Sequence, residues 1–236
     1  MNRRTLLRTG AMGSLSGIAA GHELTAAEAL QKGSRGVPSP RIKDIQVIAI
    51  APEGLRLVVV KILTDQDGLY GYGCATFTQR ADLVVLAVEK YLKPFLVGKP
   101  ADRIDDTWQA CYNSSYWRNG PVLNNAISGV DLALWDIKGR QAGLPVYQLL
   151  GGKCREAADC YRHASGSDFN EVIDKARYFM EQGVRHIRVQ VGIPGMSAYG
   201  GGGGGTPPRK LHDDSIFEPA TYIKRTLSLF EECRRQ

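Results

Sequence analysis

The sequence predicts an α+β domain followed by the first β/α units of a TIM-type (β/α) barrel, which remains incomplete. Three features predict this fold: β-branched runs joined by short turns, then three helical segments, and then a strand–helix–strand succession. The last feature is typical of a parallel sheet built from β/α units. A whole eight-unit barrel takes about 250 residues, so the sequence after residue 153 holds only the beginning of one.

The first elements read as an antiparallel meander of three strands. Two β-branched runs, Ile45–Ile50 and Leu55–Leu63, are followed by the turn-forming segments APEG and DQDG, respectively. A third short run, LYGYGCAT, follows the second turn. Strands at this spacing pair with their neighbours along the chain.

Three helical segments come next. The stretch ADLVVLAVEKYLKPFLVGKP spaces its apolar residues three and four apart as far as Pro94, which predicts an amphipathic helix. The second segment is IDDTWQACYNSSYW, and the third is GPVLNNAISGVDLALWDIKGRQAG. The third ends at Gly143 before Leu144 and Pro145, which is typical of a helix stop.

The β/α series begins after Gly151 and Gly152. AADCYRHASG predicts a short strand, FNEVIDKARYFMEQG a helix, VRHIRVQVG another strand, and Pro219 to Arg234 a final amphipathic helix. Six consecutive glycines, Gly200–Gly205, lie between the last two, and no GK[ST] follows them, so they do not predict a phosphate-binding loop. We therefore predict a leader and linker over residues 1–36, the α+β domain over residues 37–153, and the start of the barrel over residues 154–236.

The leader resembles an export signal. MNRRTLLRTGAMGSLSGIAAG places Arg3 and Arg4 before a short, weakly apolar stretch, which is the layout of a twin-arginine signal. This layout predicts a periplasmic or exported protein, and the alternative is a cytoplasmic protein with a disordered basic amino terminus. The apolar stretch is too short and too polar for stable membrane insertion.

Charge and cysteine content exclude some classes of function. The formal net charge is +6, but residues 1–43 contain seven Lys or Arg and only two Glu, so most of the excess lies there. The nearly neutral remainder gives no electrostatic argument for nucleic-acid binding. Five cysteines lie scattered without the spacing of a metal site, and their odd number argues against a complete disulfide framework.

One stretch carries a resemblance to a known family. AISGVDLALWDIKGRQAGLPVYQLLGG, residues 126–152, resembles the signature of the mandelate racemase and muconate lactonising branch of the enolase superfamily. The resemblance extends over roughly residues 41–236 and implies that the α+β domain is the amino-terminal capping domain of that branch. The matching residues are Ala126, Ser128, Asp131, Ala133, Asp136, Gly139, Pro145 and Leu149-Leu150-Gly151.

A second stretch, at the end of the last predicted strand, indicates which group within the superfamily the chain resembles. Arg188-Val189-Gln190 stands where the superfamily commonly has Lys-x-Lys, and GIPGM follows, so the chain resembles the mannonate dehydratase-like group that includes starvation-sensing proteins. This resemblance implies that Arg188 and Tyr199 form the catalytic base and that His163 contacts substrate. It also implies a substrate-binding place for Thr78, where the group typically has asparagine. The loop is one residue short before Tyr199 and rich in glycine after it.

The implied activity is an acid-sugar dehydratase, which removes the proton next to a carboxylate and expels the neighbouring hydroxyl as water. Magnesium stabilises the enediolate in this superfamily, and an arginine near a tyrosine favours the phenolate that would take the proton. The family's metal ligands come from the third to fifth barrel strands, so we expect no metal ligand in this chain. The expected partner is a small-molecule sugar acid, and a full-length protein is expected to be a homo-oligomer.

Several alternatives stay open. The substrate is mannonate or another acid such as gluconate or galactonate. Since the chain lacks the metal ligands, it is either the amino-terminal part of the enzyme or a non-catalytic protein of the same fold, such as a truncated remnant or a binding protein. Among the residues, Arg188 either acts on substrate or pairs with a surface carboxylate. Trp117 and Arg118 either line the mouth of the site or belong to a packed helix connection. Asp131 and Asp136 are expected to be structural.

Overall fold

The computed structural model describes residues 39–192 and 219–236. The leader, Tyr199 and the six glycines therefore lie outside the described residues. The observed fold is the predicted one, a three-stranded α+β unit followed by the start of a β/α barrel. No helix in the described ranges is long and apolar enough to cross a bilayer.

The first unit is built on an antiparallel sheet in the order β1-β2-β3. The strands are β1 (Ile42–Ile50), β2 (Leu57–Thr64) and β3 (Tyr70–Cys74). Along β2 the side chains alternate between buried and half-buried, which is the pattern of a sheet covered on one face. The predicted meander is confirmed.

The helices of this unit begin after a short 3₁₀ turn, Thr78–Arg80. Helix α1 (Ala81–Ala87) continues through a π-helical turn, Val88–Leu92, into α2 (Lys93–Leu96). The apolar spacing that predicted this helix extends only as far as Pro94, and the helix passes through this proline. A proline occupies the first turn of a helix without loss because its missing N–H has no partner there.

Helix α3 (Ile104–Asn113) is followed by a connection over residues 114–120 and by α4 (Pro121–Ala142). The predicted second helix was too long, because the backbone leaves the helix after Asn113. Helix α4 ends as predicted, since Gly143 adopts the left-handed conformation and its N–H donates to the Arg140 carbonyl oxygen. A short helix, α5 (Val146–Leu149), follows.

Helix α4 packs directly on the sheet. Its buried residues recur three and four apart, so they form one apolar stripe. A Cβ added to Gly73 would lie 1.9 Å from the Gly129 carbonyl oxygen, and one added to Gly71 would lie 2.1 Å from the Ala133 carbonyl oxygen. Only glycine in β3 permits this approach, which explains the run YGYG. The stripe comprises Ala126, Ile127, Gly129, Val130, Ala133, Leu134, Ile137 and Gly139.

The second part has a parallel strand pair. Strands β4 (Tyr161–Gly166) and β5 (His186–Val191) are joined by helix α6 (Phe169–Glu181), and helix α7 (Pro219–Arg235) packs beside them. Asp168 caps α6, because its carboxylate accepts a hydrogen bond from the Glu171 N–H at 2.9 Å. The apolar cluster of this part is centred on Ala164, Val172, Val191 and Leu229.

Candidate active site

The two faces of the sheet formed by β4 and β5 carry different kinds of side chain, one apolar and the other polar. Ala164 of β4 and Val189 and Val191 of β5 belong to the apolar cluster under α6 and α7. Because successive side chains of a strand point to opposite faces, the face away from the helices carries His163, Ser165, Arg188 and Gln190. We call these four residues the polar quartet. In a barrel this face is the interior, and its carboxyl end is where catalytic groups lie.

The register of β4 and β5 places the members of the polar quartet opposite one another in two pairs. His163 lies opposite Arg188, and Ser165 lies opposite Gln190. Paired residues of neighbouring strands are about 4.8 Å apart along the hydrogen-bonding direction, so His163 and Arg188 can contact one small ligand. His163 is half-buried and its ring lies 4.9 Å from that of Tyr161, whereas Arg188 is exposed. The structure therefore brings together two of the residues singled out from the sequence.

Ser165 and Gln190 were not among the predicted site residues. Ser165 Oγ and Gln190 Oε1 are both buried, and neither has a hydrogen-bond partner within residues 39–192 and 219–236. A buried polar atom without a partner costs about 1–3 kcal/mol, and such atoms mark places where water or a ligand group binds. The alternation of the strands could have identified them, since each lies two residues beyond His163 or Arg188.

Hydrogen bonds to the Glu171 carboxylate hold the turn after β4 in place. Glu171 accepts hydrogen bonds from the Ser167 N–H at 2.8 Å, from the Ser167 hydroxyl at 3.0 Å and from Lys175 Nζ at 2.7 Å. The bond from Lys175, together with those from Ser167, lowers the pKa of Glu171 to about 2. Lys175 Nζ also donates to the Ser165 carbonyl oxygen at 2.7 Å.

Two more bonds fix the same end of the sheet. Arg225 of α7 donates to the Ser167 carbonyl oxygen at 3.1 Å, and the Gly192 N–H donates to the Gly166 carbonyl oxygen at 2.9 Å. A Cβ at Gly166 would lie 2.9 Å from Glu171 Cβ, so the turn has no room for a larger residue. The carboxyl ends of β4 and β5 are thus held together next to the polar quartet.

Thr78 belongs to the capping domain. It begins the 3₁₀ turn after β3, and its hydroxyl lies 3.1 Å from the side-chain oxygen of Gln79. The structure engages Thr78 with this neighbour rather than with the strand pair, so its predicted role in substrate binding stays a prediction. The same holds for Tyr199, which lies outside the described residues.

The other capping-domain residues singled out from the sequence are the aspartates of α4, which were expected to be structural, and Trp117, which is exposed. Asp136 accepts hydrogen bonds from the Tyr72 N–H at 2.9 Å and from Arg140 Nε at 3.2 Å, and so ties α4 to β3, as a structural role predicts. Burial raises the pKa of the Asp131 carboxyl. Trp117 is 82% exposed, so it is not a packed aromatic of the helix connection.

The described side chains offer few of the groups that hold magnesium. Over residues 39–192 and 219–236, no group of three or more His, Cys, Asp or Glu residues is placed to hold a metal ion. The polar quartet offers one imidazole, one hydroxyl and one amide oxygen, but it contains no carboxylate, which Mg²⁺ prefers. The described residues therefore do not fit a magnesium site.

An antiparallel capping unit followed by parallel β/α units is the architecture of the enolase superfamily. Residues 37–151 match the family model of the mandelate racemase / muconate lactonizing enzyme N-terminal domain. The chain therefore carries an enolase-superfamily amino-terminal domain of this family, and that part of the predicted resemblance is confirmed.

Relatives refine the assignment. A D-galactonate dehydratase family member from Enterocloster bolteae is 48% identical over 194 residues, which cover 82% of this chain and 48% of the relative. The D-galactonate dehydratase family member RspA from Pantoea ananatis is 48% identical over 208 residues, which cover 83% of this chain and 50% of the relative. This chain thus spans about half the length of the curated relatives it matches.

A solved structure agrees with the fold. The crystal structure of an enolase from Pantoea ananatis with bound D-gluconate and Mg is 46% identical to this chain, with a TM-score of 0.68. The match covers 83% of this chain and 50% of that one. These relatives are named as D-galactonate dehydratase family members or hold D-gluconate, so the predicted resemblance to the mannonate dehydratase-like group is not supported.

Proposed function

We propose that the protein is a dehydratase of a sugar acid, with D-gluconate or D-galactonate as the substrate. The observation that carries this proposal is the pairing of His163 with Arg188 on the helix-free face, at the end of the sheet that the Glu171 network holds in place. A guanidinium and an imidazole side by side suit the carboxylate and hydroxyls of a sugar acid. The names of the relatives and the gluconate in the Pantoea structure support the choice of acid.

In this proposal the reaction starts with the proton on the carbon next to the carboxylate. Tyr199 takes this proton as a phenolate, and Arg188 stabilises the phenolate because it stays protonated and does not compete for the proton. His163 contacts the substrate, and Thr78 contributes from the capping domain. The neighbouring hydroxyl then leaves as water with the proton that Tyr199 has accepted, while the electron pair of the enediolate forms the carbon–carbon double bond of the enol product.

Magnesium would add positive charge that stabilises the enediolate. The Pantoea structure holds this ion with D-gluconate. Because the described residues do not fit a magnesium site, the residues of this chain are proposed to act only on the proton and on the polar groups of the substrate.

Calorimetric titration of the chain with D-gluconate, D-galactonate and D-mannonate, in the presence of Mg²⁺, tests the proposal. We expect D-gluconate or D-galactonate to bind more tightly than D-mannonate. Arg188→Met should weaken binding about 10- to 100-fold, because a hydrogen bond to a charged group contributes about 1.5–3 kcal/mol. Arg162→Met is the matched control, since Arg162 lies in the same strand pair but on the helix-covered face.

The outcomes separate the parts of the proposal. Equal losses from Arg188→Met and Arg162→Met would remove the polar quartet from the site. Tighter binding of D-mannonate would restore the mannonate assignment. Absence of binding for all three acids would overturn the proposed function.

We also propose that the protein is exported by the twin-arginine route, on the basis of Arg3 and Arg4 before the short apolar stretch. Replacement of both arginines by lysine should keep the protein in the cytoplasmic fraction of expressing cells. An unchanged distribution between cell fractions would contradict this route.

A further inference from the structure

The capping domain contains a cavity next to the connection between α3 and α4. It has a volume of about 410 Å³ and lies between the π-helical turn, α3 and α4. Cavities that hold small molecules typically measure about 300–1,000 Å³ and combine mostly apolar walls with a few polar groups. None of the described residues that line this cavity belongs to β4 or β5, so it is separate from the candidate active site.

The walls of the cavity are largely apolar. Leu92, Leu123 and Ile127 supply aliphatic side chains, and Cys111 lies among them. Burial raises the pKa of the Cys111 thiol to about 11, as expected of an apolar environment. Because a polar group that leaves water needs a hydrogen bond in return, these walls favour a hydrocarbon group.

Three aromatic rings complete the walls, those of Tyr91, Tyr112 and Trp117. Tyr91 is 69% exposed and Trp117 is 82% exposed, so both rings have surface that a ligand can cover. The Tyr112 ring is fixed in advance, because it stacks on Trp108 with the ring centroids 5.1 Å apart and its hydroxyl donates to Asn119 Oδ1 at 2.8 Å. Aromatic pairs contribute beyond the area they bury, so these walls suit a ligand ring better than an alkyl chain.

Several polar groups around the cavity are already occupied. The Ser114 hydroxyl donates to the Cys111 carbonyl oxygen at 2.7 Å, and the Ser115 hydroxyl donates to the Trp117 carbonyl oxygen at 3.0 Å. Asn119 Oδ1 accepts the tyrosine hydroxyl described above. A ligand with many hydroxyls would have to break these bonds, and each broken bond has a cost. The cavity is therefore unsuited to a sugar acid.

Arg118 places a positive charge at the cavity, and it is the one charged residue among the described residues that line it. Its guanidinium lies 5.8 Å from the centre of the Tyr112 ring. Within residues 39–192 and 219–236, no carboxylate lies at ion-pair distance from this guanidinium. A guanidinium can bind a carboxylate through two parallel hydrogen bonds. Charge complementarity therefore favours a ligand with one carboxylate beside its apolar part.

We propose that this cavity is a binding site for a small aromatic carboxylate. The ring of the ligand lies among Tyr91, Tyr112 and Trp117, and its carboxylate pairs with Arg118. The site shares no residue with the polar quartet, so the proposal does not depend on the proposed dehydratase. A suitable probe is 3-phenylpropionate, because it joins one phenyl ring to one carboxylate through two carbons.

Titration of the full chain with 3-phenylpropionate, followed by tryptophan fluorescence, tests the site because Trp117 forms one of its walls. We expect a dissociation constant of about 1 mM or lower, the affinity typical of so small a ligand. The uncharged 3-phenylpropionamide should bind about 10-fold more weakly, because hydrogen bonds between charged groups are stronger than those between a charged and a neutral group. Arg118→Met should remove this difference between the acid and the amide.

A pair of matched variants locates the bound acid. Leu123→Trp fills the cavity and should weaken binding about 10-fold or more, whereas Leu132→Trp should not, because Leu132 is 44% exposed on α4 but does not line the cavity. Circular dichroism establishes that both variants keep their helices. Arg188→Met should leave binding unchanged, and a loss there would place the acid in the polar quartet and overturn the proposal. Absence of saturable binding, equal affinities for acid and amide, or equal affinities of the two tryptophan variants would overturn it as well.

Discussion

Replacement of Gly73 by alanine provides a sharp test of how the capping domain is packed. The new Cβ would lie 1.9 Å from the Gly129 carbonyl oxygen and 2.7 Å from the Ala133 backbone nitrogen. Both atoms belong to the backbone of α4, so no side-chain rotation relieves the contact. Since non-bonded atoms prefer separations of about 3.5–4 Å, α4 and β3 would have to separate by about 1 Å or more.

The expected loss of unfolding free energy in Gly73→Ala follows from the apolar stripe of α4. Four large side chains, Ile127, Val130, Leu134 and Ile137, are buried under the sheet, and burial of each contributes about 1.5–3 kcal/mol. A gap of about 0.5–1 Å forfeits a quarter to a half of the dispersion energy. Loss of about a quarter of the total lowers the free energy of unfolding by about 1.5–3 kcal/mol.

Urea unfolding followed by tryptophan fluorescence measures this loss in the relevant domain, because all three tryptophans, Trp108, Trp117 and Trp135, lie in the capping domain. Gly192→Ala is the control, since the nearest atom to its added Cβ lies at 3.7 Å. A loss below about 1 kcal/mol for Gly73→Ala, within the cost of ordinary surface changes, would refute the account of this close approach.

Two further predictions concern ionisable groups. The pKa of Glu171 in the folded chain is lowered from 4.5 to about 2, so its ion pair stabilises the fold above pH 4.5 and this contribution disappears as the pH falls toward 2. Wild-type chain should therefore lose more stability than Glu171→Gln between pH 4.5 and 2 in urea titrations, and parallel losses would contradict the network. Burial raises the pKa of Cys111 to about 11, so Cys111 should react with a thiol reagent at pH 8 far more slowly than exposed Cys74; equal rates of labelling, mapped by mass spectrometry, would contradict its burial.

The sequence was sufficient to predict the elements whose patterns are local. Alternation along β2 and the three- and four-residue spacing along α4 are set by burial against one neighbour. The end of α4 at Gly143 is likewise a local event. The passage of the helix through Pro94 was not predictable from pattern alone, because a π-helical turn before it changes the register of the backbone bonds.

In the candidate site, too, the features set by local pattern could be predicted and those set by neighbouring elements could not. Arg188 could be assigned to the helix-free face from alternation, and its pairing with His163 agrees with that assignment. The exposure of Trp117 could not be deduced, because it depends on whether neighbouring helices close over the connection, and they leave a cavity instead. The sequence left Trp117 either at the mouth of the site or in a packed helix connection, and its exposure excludes the packed alternative.

Ser165 and Gln190 illustrate what a resemblance leaves out. The resemblance assigned no role to Ser165 or Gln190, although Gln190 stands at the second position of the Lys-x-Lys pair. Their buried oxygens, which lie beside His163 and Arg188, nevertheless lack hydrogen-bond partners in the part of the chain that the structure describes. A hydrogen-bonding group is expected to relieve the cost of about 1–3 kcal/mol for each. In the proposed dehydratase, a substrate hydroxyl or an ordered water would serve, so the shape of the polar quartet bears on which sugar acid fits.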